Sequence, residues 1–164
     1  MKWGLKVKIF GKSLSDYVSF AKGFLILILM VGLARLTLSL LGQPDSTVKF
    51  FSITVVYLLG TIYYSVKVHT SGFGSYKQLL PVLALLAILG NCIVIGGIIL
   101  AIETQKDNIF AAPEFSPKHA DGKNWGHVGG HVVAMIVLPL ILWTIGSLIM
   151  FITKKVNKSS EQRA

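Results

Sequence analysis

Three of the four histidines, His119, His127 and His131, fall within the stretch HADGKNWGHVGGHVV, and Asp121 lies among them. Imidazole nitrogens and a carboxylate oxygen are the donors taken by zinc or another divalent transition metal. Residues 121–124, DGKN, read as a turn followed by a helix N-cap at Asn124. A helix starting there puts His127 and His131 four residues apart on one face, the spacing that turns two imidazoles toward one ion. His119 and Asp121 lie upstream and complete a four-donor set if the turn folds back. The plainer reading is that these histidines decorate the polar entrance to a helix. A proton-linked role is the third, because imidazole titrates near neutral pH.

Other chemistries lack their parts. Val128 stands where the zinc-protease signature carries its glutamate, so that hydrolytic mechanism has no general base. A haem site is disfavoured because no histidine sits at mid-membrane depth and no CxxCH motif is present. The single cysteine, Cys92, excludes internal disulfides and paired-thiol redox chemistry, and is expected to be a small packing residue. Glycoside, phosphate and acyl transfer find no carboxylate pair and no nucleophile with a base beside it.

The second polar group lies inside apolar sequence. Arg35 interrupts the first apolar block, Asn91 the third, and Glu103 stands at the end of the third. A charge within a span costs about 2.5–3.5 kcal/mol on insertion scales unless it is paired or snorkels, so Arg35 marks either function or an outward-reaching side chain. Glu103 is its expected partner across helices, with Asn91 as a further hydrogen-bonding group.

The elements that must carry these residues are read from hydropathy. The 164-residue chain is 53% hydrophobic and 14% charged, and its apolar residues gather in four blocks, at about 24–41, 50–68, 79–102 and 132–153. Blocks of this length, apolar on every face, predict an all-α integral membrane protein with four transmembrane helices. Gly90, Gly96 and Gly97 predict close helix contact, Pro81 sits at the start of the third span, and Pro139 should kink the fourth. Residues 1–23 form an amphipathic segment expected to lie at the cytoplasmic interface, with a cap at Ser13 or Ser15. Tyr63, Tyr64, Phe73 and Tyr76 read as an aromatic belt on that side. The first apolar block is too long for a cleavable signal and is expected to be retained. The transmembrane domain spans 24–153 with an extracytoplasmic loop at 103–131, and residues 154–164 are a basic tail.

The formal charge of +9 is unevenly spread. Lys2, Lys6, Lys8, Lys12 and Lys22 precede the first span, Lys67 and Lys77 flank the second connection, and Lys154, Lys155, Lys158 and Arg163 end the chain. In a four-span protein these segments share one side, so the positive-inside rule places both termini in the cytoplasm. The basic residues then meet anionic lipid headgroups, and nucleic acid is not expected as a partner. The leading expectation is a bacterial inner-membrane protein without a catalytic site, an accessory or structural subunit that packs against other subunits or itself. The alternatives are a metal-binding or oxidoreductase component built on His119, Asp121, His127 and His131, and a small oligomeric transporter using Arg35 and Asn91.

Overall fold

The computed structural model describes residues 8–111 and 122–161, with side chains to residue 156. It is mostly helical, and four of its helices are long and apolar enough to cross a membrane. In chain order the elements are β1 (Lys8–Ile9), β2 (Lys12–Ser13), α1 (Leu14–Leu40), α2 (Asp45–Val48), α3 (Ile53–Thr70), α4 (Tyr76–Thr104) and α5 (Trp125–Glu161).

Residues 8–13 form a hairpin that the apolar pattern did not announce. Ile9 pairs with Lys12 across the loop residues Phe10 and Gly11, both at positive φ (49° and 87°). Two such residues in succession make the turn whose twist suits adjacent antiparallel strands. Phe10 is not a glycine, so side chains must hold it there. Gln78 Nε2 donates to the Phe10 carbonyl at 2.9 Å and the Tyr17 hydroxyl to the Ile9 carbonyl at 2.8 Å.

Helix α1 begins at a capping box. The Asp16 amide donates to Ser13 Oγ at 3.2 Å, and the Ser13 amide donates back to Asp16 Oδ2 at 2.7 Å. Ser13, rather than Ser15, is therefore the cap. The helix runs unbroken to Leu40 and already buries Tyr17 and Ala21, so residues 14–23 are its first turns. It ends in a Schellman motif at Gly42 (φ 74°), where the Gly42 amide reaches the Ser39 carbonyl and the Gln43 amide that of Leu38.

Helix α4 packs against α1, α3 and α5 and is the centre of the bundle. Glycines allow this approach. A Cβ at Gly97 would stand 2.5 Å from the Phe110 ring, and one at Gly90 would fall on the Tyr57 hydroxyl. Gly146 of α5 plays the same part against Ser65 of α3, at 2.6 Å. Buried hydroxyls close their own bonds within α3, Thr61 to the Tyr57 carbonyl at 2.8 Å and Ser65 to the Thr61 carbonyl at 2.6 Å. No polar atom of these side chains needs water.

Several expectations change with the packing. Pro81 falls in the second turn of α4, because that helix starts at Tyr76. Cys92 and Gly96 are exposed on the outside of the bundle, so neither is an interhelical packing residue. Tyr64 is buried, and with Tyr17, Phe20, Phe24 and Phe73 it fills the end of the bundle near the hairpin. Phe20 and Phe73 stack at 3.8 Å. Tyr76 anchors α5 by accepting from Trp143 Nε1 at its carbonyl, 2.7 Å, with Lys154 over its ring.

Candidate functional site

At the opposite end of the bundle the helices line a partly open cavity of about 440 Å³. Its polar lining is Arg35 from α1, Thr54 and Tyr57 from α3, Asn91 from α4, and His127 with His131 from α5. Its apolar walls include Ile53, Val94, Phe110 and Leu138. Four residues singled out by type, spacing or depth, Arg35, Asn91, His127 and His131, thus meet in one place. Glu103 does not join them. It is exposed near the end of α4, and among the described residues no ion pair links it to Arg35.

Each side chain is held by its own local cause. Asn124 caps α5 as expected, its Oδ1 accepting from the His127 amide at 2.8 Å. That cap sets the helical phase that turns both histidines the same way, and their ring centres lie 5.2 Å apart. His127 Nδ1 lies 3.0 Å from the Gly122 carbonyl oxygen, and His131 Nδ1 lies 2.8 Å from Asn91 Oδ1. Asn91 is 4% exposed and uses its amide nitrogen on the Ala87 carbonyl, at 2.8 Å. The Tyr57 hydroxyl donates to that same carbonyl at 3.3 Å.

Arg35 has neighbours other than the expected glutamate. Its Nη1 donates to the Phe51 carbonyl at 3.3 Å, and its Cζ stands 5.6 Å from the centre of the Phe110 ring. That separation is within the range of a cation–π contact. Arg35 is half-buried, so its charge is set against the cavity wall rather than in open water.

One wall of the cavity comes from a segment that hydropathy alone left in the loop. Gln105 ends α4 in the left-handed region (φ 55°), which turns the chain back on itself. Asn108 is then buried and donates to the Gly97 carbonyl at 2.7 Å, while the Ile109 amide donates to Ser39 Oγ at 2.8 Å. These two bonds seat Ile109 and Phe110 over the cavity. The only sequence signal was Asn108 beside two apolar residues after a helix. Outside the cavity, Lys123 and Asp107 form an ion pair at 2.8 Å between the two sides of the loop.

His119 and Asp121 lie outside the described residues, so the four-donor metal set is not assembled from what the structure describes. Among the described residues no group of three or more His, Cys, Asp or Glu side chains is placed to hold a metal ion. No known family pattern, characterised protein or solved structure matches the chain.

Proposed function

We propose that this is a non-catalytic integral membrane protein that binds a small amphipathic molecule carrying an acidic head. The carrying observation is the cavity itself, where a permanent positive charge and several hydrogen-bonding side chains meet apolar walls. Binding sites for small molecules combine a mostly apolar lining with a few placed polar groups, and this cavity has the expected size. Arg35 is the residue that selects the head. In apolar surroundings its charge favours a carboxylate over a neutral group, because screening by water is weak there. Ile53, Val94, Leu138 and Ile141 receive the chain of the ligand.

The basic residues at 1–23, 67–77 and 154–163 support a bacterial inner-membrane orientation with the cavity on the extracytoplasmic side. Helices α1 and α5 bury fewer of their residues within the bundle than α3 and α4 do. Those faces suit lipid, further subunits of a complex or a second copy. A small transporter is the second reading, favoured by Arg35 and Asn91 lining the same cavity.

Equilibrium binding of a radiolabelled long-chain fatty acid to purified protein in nanodiscs tests the proposal. Saturable binding that falls at least tenfold in Arg35→Leu is the expected result. Binding that is absent, or unchanged by that substitution, contradicts it. A liposome flux that depends on both Arg35 and Asn91 supports the transporter reading in addition.

A further inference from the structure

We infer that His127 and His131 form a two-imidazole site for a divalent transition-metal ion, each ring offering Nε2. The two rings and their hydrogen bonds define this site independently of the acidic-ligand reading. A backbone carbonyl only accepts, so the contact from His127 Nδ1 to the Gly122 oxygen requires a proton on Nδ1. The Asn91 amide is oriented by its nitrogen, which donates to the Ala87 carbonyl, and so its Oδ1 faces His131 as an acceptor. His131 therefore also carries its proton on Nδ1. In both neutral rings this leaves Nε2 as the nitrogen with the lone pair.

Metal-binding histidines show this arrangement, in which one ring N–H is given to a carbonyl so that the other nitrogen is fixed as the ligand. The spacing agrees as well. With metal–nitrogen bonds of about 2.0–2.1 Å, two imidazoles on a tetrahedral ion have ring centres roughly 5 Å apart. The observed separation is 5.2 Å, with the ring planes 44° apart. Both rings line the cavity, so an ion held there keeps positions open to water or an anion. Imidazole suits copper, nickel and zinc, and among divalent ions copper binds nitrogen sites most strongly. Arg35 lines the same cavity and opposes a bare cation. Replacing it with glutamine should tighten metal binding, the opposite of its effect on an acidic ligand.

The test uses the full chain in nanodiscs, with any affinity tag removed, stripped with chelator and titrated with Cu²⁺. The expected result is one Cu²⁺ per chain, with an electron paramagnetic resonance spectrum showing coupling to two imidazole nitrogens. His127→Ala/His131→Ala should abolish that signal. Asn91→Leu keeps both ligands but removes the oxygen that orients His131, and should weaken binding 10–100-fold. Circular dichroism and thermal melting of each variant separate lost binding from lost folding. Absence of Cu²⁺ binding in the folded wild-type chain, or an unchanged spectrum in the folded double variant, overturns the inference. Fatty-acid binding that survives the double variant leaves the acidic-ligand reading standing on its own.

Discussion

The two ends of this bundle are built from the same four helices and do different work. Near the hairpin, aromatic rings from α1, α3 and the α3–α4 connection stack into a filled core, and Tyr17 and Tyr64 are almost wholly buried. At the other end the same helices stand around a cavity lined by Arg35, Asn91, His127 and His131. The filled end stabilises through contact, since lipid is as apolar as the core and the gain lies in packing and satisfied hydrogen bonds. The hollow end gives up contacts and gathers polar groups that are costly in a membrane. Such groups mark the hollow end as the candidate functional site.

The difference can be broken by substitution. Tyr64→Ala should have the largest effect, about 3 kcal/mol of lost stability by analogy with large-to-small aromatic changes, with fatty-acid binding per folded molecule unchanged. Denaturant unfolding in mixed micelles measures it. Gly90→Ala should cost about 1–3 kcal/mol through overpacking, because the new methyl falls on the Tyr57 hydroxyl. It should also weaken ligand binding, since Tyr57 is displaced within the cavity wall. Asn124→Ala removes the cap that phases the two histidines and should cost about 1 kcal/mol. Hydrogen exchange should locate that loss in the first turn of α5, with the aromatic end unaffected.

The sequence made some of this legible and withheld the rest for physical reasons. Helix positions were readable because long uninterrupted apolar blocks have few alternatives to spanning a bilayer. The Asn124 cap and the shared face of His127 and His131 followed from local chemistry and the helical period. What helices face was not readable, because a helix apolar on all sides gives no signal of its inward stripe. Cys92 was therefore expected inside and lies outside, while Tyr64 was expected at an interface and lies inside. The same ambiguity made Glu103 a reasonable partner for Arg35, although the structure gives Arg35 the Phe51 carbonyl and the Phe110 ring. The contact between Asn91 and His131 joins residues 40 positions apart and depends on how α4 and α5 pack. The hairpin was missed because two-residue strands leave no periodicity to detect.

Photolabelling distinguishes a hollow end that binds ligand from a filled end that does not. A long-chain fatty acid bearing a diazirine would be crosslinked to the protein in nanodiscs and its adducts mapped by mass spectrometry. Saturable adducts on Ile53, Val94, Phe110 or Leu138, competed by unlabelled fatty acid and lost in Arg35→Leu, are the expected result. Adducts spread evenly over the lipid-facing surfaces of α1 and α5, with no dependence on Arg35, would contradict it.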